Sequence, residues 1–113
     1  MDKPSTVNIM GIVYTVDYMN NPADVDIRRQ MSLWGQLDPW TRTIRVYDNG
    51  KAPNAEIFHT LLHEILHGIG LGLHLESFNK KENHDELDIL ALALMDVFCR
   101  NGWLVLDEKP EGE

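Results

Sequence analysis

Near the middle of the chain, His63 and His67 stand four residues apart with Glu64 directly after the first, inside TLLHEILHGIGLGLH (60–74). If this stretch is helical, residues i and i+4 share a face one turn apart. Both imidazoles can then grip one tetrahedral zinc ion. Glu64 lies roughly 100° further round the helix, too far to be a convenient ligand. It can instead reach a water on the metal, act as general base and later carry the proton to a leaving amine. The bland alternative is a chance grouping on a polar helix face. Against it, Leu61, Leu62, Ile65, Leu66 and Ile69 surround the motif, so its polar groups would be part-buried and in need of partners, which a metal supplies.

The elements that must position these residues follow from pattern. Ile57 and Phe58 open an apolar helical periodicity after Asn54, which predicts a helix over about 54–68 with Asn54 as N-cap and with Gly68, Gly70 and Gly72 breaking it. SFNKKEN (77–83) reads as a polar loop. Asn83 can cap a second helix whose first turn, His84-Asp85-Glu86, suits the helix dipole. Leu87, Leu90, Ala91, Leu94 and Phe98 form its apolar stripe, widened by Ile89, Leu92, Met95 and Val97, so it reads as central to the core. Asn101-Gly102 should end it. Upstream, TVNIMGIVYTVDY (6–18) reads as one strand, or as two short strands bent at Gly11. Residues 20–30 read as a loop. MSLWGQLD (31–38) and TRTIRVYD (41–48) suggest a hairpin pairing 31–36 with 42–47.

Bulk composition bounds the function. The 113 residues suffice for one domain, 1–113, with a polar acidic tail that frays from about 106. A net charge of -8 argues against nucleic acid as partner. The single cysteine, Cys99, excludes an internal disulfide and fits a reducing compartment. Neither a secretory leader nor a bilayer-spanning run is evident, so the expectation is a cytoplasmic protein with no membrane association.

Which residue completes the metal site is open at this level. The metzincin pattern H-E-x-x-H-x-x-G-x-x-H resembles this stretch with one leucine inserted: Gly70 fits, Leu73 takes the last position and His74 comes one residue late. No methionine turn follows, because Met95 lies in the second helix. Glutamate-type zincins instead take the third ligand from the first turns of a second helix, with an acidic residue one turn on that orients a ligating histidine. By that likeness, His84 is the leading ligand and Asp88 the orienting carboxylate; the two share a face, flanked by Leu87 and Ala91. Glu86 is the rival, on the face of Leu90 and Ala93, while Asp85 suits a purely dipolar role. His59 continues the histidine stripe, but three ligands on one straight helix would span about 12 Å, so it is a cleft-edge or exposed residue.

Taken together, the GIVYTV strand, WGQLDPWTRTIRV, TLLHEILH and the closing HDELDILALALMDVF before Asn101 resemble the small zincin-like proteins of phages and bacteria related to ImmA/IrrE-type metallopeptidases. The resemblance covers most of the chain, and TLLHEILH is its specific part. It implies an α+β zincin-like core: a small twisted, mostly antiparallel three-stranded sheet packed on the HExxH helix, with the second helix beside it. It also implies Zn²⁺ and a peptide or protein substrate held along an edge strand, the 31–47 hairpin being the provider. Trp34 and Trp40 are core anchors by preference and cleft walls otherwise. The chain departs from such families at His84, a position commonly Glu, which makes the set His-His-His and keeps Glu86 as a fallback.

The leading function is therefore a zinc-dependent peptidase in which the metal polarises the scissile carbonyl and acidifies its water, and Glu64 takes the proton. His74, His59 and Tyr47 are candidates to steady the oxyanion. The alternative is a non-catalytic, zinc-stabilised binding or regulatory module of phage type. Glu64 speaks against it, as does the preference of structural zinc sites for four protein ligands. A metal-free domain ranks last, because buried and unpaired His63 and His67 would cost stability.

Overall fold

Met10 and Gly11 both take positive φ, 53° and 86°, the backbone of a two-residue type I′ turn. TVNIMGIVYTVDY accordingly becomes two strands that reverse completely there, β1 (Thr6–Ile9) and β2 (Ile12–Met19), paired antiparallel with Ile9 opposite Ile12. A second hairpin joins β3 (Gly35–Asp38) to β4 (Thr43–Tyr47), with Gly35 opposite Val46. Asp38 ties its turn by accepting the backbone N–H groups of Trp40 (3.1 Å) and Thr41 (3.4 Å). The computed structural model describes residues 3–20 and 34–106. The loop expected over 20–30 beyond Asn20, the first residues of the expected strand 31–38 and the tail from 107 therefore lie outside the described residues.

The two hairpins meet through β2 and β4, which run parallel with Val16 opposite Ile44. The sheet thus has four strands rather than the expected three, in the order β1-β2-β4-β3; it is mostly antiparallel as expected, with β2–β4 the parallel pairing that makes it mixed. The reason is burial. Ile44 and Val46 are wholly enclosed, so β4 must be interior, which leaves β3 as the edge. On the opposite face Arg45 donates to Asp38 at 2.9 Å and to Gln36 at 2.8 Å, so a buried charge is paired.

Helix α1 (Asn54–Gly72) packs on this sheet and α2 (His84–Arg100) packs on α1. Ile57 and Leu61 face the sheet with Ile9, Tyr14, Val16, Ile44 and Val46. Leu62 and Leu66 face α2 through Leu87 and Ala91. Helix α2 is therefore an outer layer rather than the centre of the core: only Leu87 and Ala91 are buried, and Ile89, Leu92 and Val97 are exposed. Both tryptophans expected as core anchors are also exposed, Trp34 at 67% and Trp40 at 88%. Among the described residues, no helix is long and apolar enough to cross a membrane.

The helix limits differ from expectation at two points. Pro53, not Asn54, occupies the N-cap position of α1, with no side-chain cap. The glycines do not break α1, which runs on to Gly72. Each costs about 1 kcal/mol of helix propensity relative to alanine, offset here by close packing. A Cβ on Gly68 would stand 2.8 Å from Ile9 Cδ1, and one on Gly70 only 2.5 Å from Phe78 Cβ. Termination comes later, at a Schellman motif: Leu75 N–H bonds Gly70 O at 2.8 Å and His74 N–H bonds Leu71 O at 3.4 Å, with His74 left-handed at φ 55°. Helix α2 ends the same way at the expected Asn101-Gly102 pair, Gly102 having φ 73° and Trp103 N–H bonding Phe98 O at 2.9 Å.

Candidate metal centre

His63, His67 and His84 each offer a ring nitrogen, and these atoms all lie within 4.8 Å of one another. The first two come from successive turns of α1. The third comes from the first residue of α2, brought in because Leu87 and Ala91 dock on Leu62 and Leu66.

Hydrogen bonds fix which nitrogens face inward. His63 Nδ1 lies 2.8 Å from Asp88 Oδ1. A carboxylate only accepts, so Nδ1 carries the proton. His67 Nδ1 lies 3.0 Å from Asn79 Oδ1, and Asn79 Nδ2 donates to His67 O at 3.4 Å. That second bond orients the amide, so His67 Nδ1 is a donor too. Burial foremost lowers the pKa of both imidazoles, which favours neutral rings. Their two Nε2 atoms then present bare lone pairs to each other at 3.1 Å. Two lone pairs at that distance repel unless a cation lies between them. The spacing is close to the ~3.3 Å that two nitrogens about 2.05 Å from a tetrahedral zinc must keep. The donor set therefore fits a divalent metal such as zinc, with three imidazoles and room for a fourth ligand.

Asp88 does more than hold His63. His59 Nε2 donates to the Asp88 carbonyl at 2.9 Å and lies 3.3 Å from its carboxylate. His59 thus clips α1 to the first turns of α2, and it lines the cleft as an edge residue.

Glu64 is buried beside β3. A Cβ on Gly35 would stand 2.7 Å from Thr60 Cγ2 and 3.0 Å from Glu64 Oε2, so only glycine lets the edge strand lie this close. Burial pushes the Glu64 carboxyl up to about 8, against a hydrogen bond from the Leu37 backbone N–H that pulls it down; the charge of Asp88 adds to the rise. A cleft of about 550 Å³ opens here, lined at one end by His63, Glu64, His84 and Asp88. Tyr47 and His59 also line it.

Two alternative ligands are not brought to the cluster. His74 is the exposed left-handed residue that closes α1, so its position serves helix termination. Glu86 is exposed and lines a separate small hollow with Ser77, Phe78 and Asn83. Asp85 is fully exposed. Conversely, Asn79 was hidden in a segment that reads as a polar loop. Its turn, Glu76–Asn79, docks on α1 because Gly70 leaves space for Phe78 and Asn79. Gly35 and Gly70 carried no signal beyond their identity as glycine.

No family model, curated protein or solved structure matches the chain at a significant level.

Proposed function

We propose that the protein is a zincin-type metallopeptidase, in keeping with its sequence resemblance to ImmA/IrrE-type metallopeptidases, with zinc held by His63, His67 and His84 and with Glu64 as general base. The observation that carries this reading is the pair of imidazole lone pairs converging at 3.1 Å, with a third imidazole and a buried carboxylate beside them. Zinc bound there supplies Lewis acidity, polarising a carbonyl and lowering the pKa of a water.

The chain's own groups supply the remainder. Asp88 and Asn79 hold His63 and His67 in the tautomers that point Nε2 inward. Glu64 accepts a proton once ionised, and a cation on the neighbouring imidazoles favours that form. Tyr47 N–H bonds Trp34 O at 2.7 Å, so in the alternation of an antiparallel pair the polar groups of Gly35 and Leu37 face the open edge of β3. Leu37 N–H is engaged by Glu64; Gly35, on the cleft wall, is the point where an extended peptide can add as a further strand. Of the candidates to steady an oxyanion, His59 has its Nε2 committed to Asp88, and Tyr47 stands against Trp34.

The test is zinc stoichiometry and affinity of the wild type and of Glu64→Gln, followed by incubation with a defined peptide mixture read by mass spectrometry. One zinc per chain in both proteins, with cleavage by the wild type alone, is expected. Zinc binding without any cleavage would leave the binding-module reading instead. Absence of zinc uptake would sink both.

A further inference from the structure

The metal-site residues fill only one end of the cleft. The other end is walled by Trp34, Tyr47, Ala52 and Ile57, reached about 10 Å back along α1 from Glu64. Trp34 is 67% exposed, although it leans on Tyr47 with ring centroids 5.0 Å apart. It contributes little to the core, so its apolar surface faces the cleft unspent. Thr60, between the two ends, turns its hydroxyl to the Glu56 carbonyl at 3.1 Å and its methyl toward Gly35, which extends the apolar wall to the reacting end. Among the described residues that line this end, the charged one is Glu56, exposed on the rim, where solvent screens it.

We propose that this end is a specificity pocket for a large aromatic or branched aliphatic side chain of the substrate, next to the residue that pairs with Gly35. The proposal deepens the peptidase reading above and rests on it for the peptide nature of the ligand. Trp34 and Tyr47 grip the side chain, Ala52 leaves it room, and the apolar wall disfavours charged side chains, which would lose hydration there without gaining a partner. With about 550 Å³ in all, the cleft can hold such a side chain together with the flanking backbone.

The experiment uses amino-acid hydroxamates, whose metal-binding group is constant while the side chain varies. Binding of the N-acetylated glycine, phenylalanine, leucine, lysine and aspartate hydroxamates to the zinc-loaded protein is measured by calorimetry. Phenylalanine and leucine should bind roughly ten- to a hundredfold tighter than glycine, the range expected for burying such a side chain. Trp34→Ala and Ala52→Phe should each cut that advantage to within about threefold, while affinity for plain acetohydroxamate is unchanged, which also shows that both variants fold. Equal affinity for all five, or lysine tightest, overturns the pocket while leaving the metal site intact. If zinc does not bind, the peptidase reading fails. The pocket is then judged in the metal-free protein by the shifts that N-acetylphenylalanine amide causes at Ala52 and Ile57 amides, whose absence overturns it.

Discussion

Asp88 Oδ1 lies 2.8 Å from His63 Nδ1, so a carboxylate on α2 sets the tautomer of a histidine on α1. The same side chain is approached by His59 at 3.3 Å. Asp88→Asn keeps an oxygen acceptor but removes its charge, and Asp88→Ala removes both. Zinc affinity should fall about tenfold in the first and up to a hundredfold in the second. Competition against a calibrated chelator checks this; unchanged affinity in Asp88→Ala would show that His63 needs no orienting partner.

The third ligand is decided by three variants. His84→Ala should lose most zinc affinity, whereas Glu86→Ala and His74→Ala should keep it. His74 has a further expectation. It holds φ 55° at the end of α1, where a side chain costs about 1 kcal/mol relative to glycine. His74→Gly should therefore raise the unfolding midpoint by a few degrees with zinc affinity intact. A lowered midpoint, or lost zinc, would contradict the terminating role.

How much of this was legible depends on the kind of signal. The histidine pair with Glu64 is a local pattern, and i,i+4 spacing fixes its geometry as soon as the helix forms. His84 and Asp88 were within reach because the first turn of α2 is polar while Leu87 and Ala91 show which side faces α1. Asn79 was not, since its role depends on how a turn folds back. The glycines misled because a helix stop and a packing hole look identical as letters; only Ile9 and Phe78, distant in sequence, distinguish them. Trp34 misled because a large aromatic ordinarily enters a core, and here the core was already filled by Ile44, Val46 and Leu61. The β3–β4 hairpin was readable from its turn residues, though not its register, and at Gly11 the sequence suggested at most a bend between two strands, not a full reversal; that β2 docks parallel on β4 is a tertiary choice that neither turn encodes.

Gly70 tests the packing argument. A Cβ there would meet Phe78 Cβ at 2.5 Å and Asn79 Nδ2 at 2.8 Å. Gly70→Ala gains helix propensity yet must displace the turn that carries Asn79, so a net destabilisation of about 1–3 kcal/mol is expected. Zinc affinity should fall with it. Asn79→Ala separates the two effects: affinity should drop about tenfold or more, with a smaller loss of stability. If Gly70→Ala is stabilising, the close approach is not a constraint.

Glu64 gives the metal-free protein an unusual dependence on pH. Its carboxyl is raised from 4.5 to about 8 by burial. The unfolded chain therefore releases this proton at lower pH than the folded one. Stability from Glu64 is full below about pH 4.5 and is lost as pH rises toward about 8. His63 and His67 act in the opposite sense. Their pKa values are lowered from 6.5, chiefly by burial, so their contribution is present above about 6.5 and is lost as pH falls through the lowered values. With chelator present, the wild type should lose stability between about pH 6.5 and 8, above the range in which His63 and His67 act. Glu64→Gln should remove that slope and be more stable by on the order of 1–3 kcal/mol at the alkaline end. Urea midpoints at several pH values check both. With zinc added, the wild-type slope should flatten, because the cation favours the ionised carboxylate that burial opposes. An unchanged slope in Glu64→Gln would mean that the alkaline loss comes from another group.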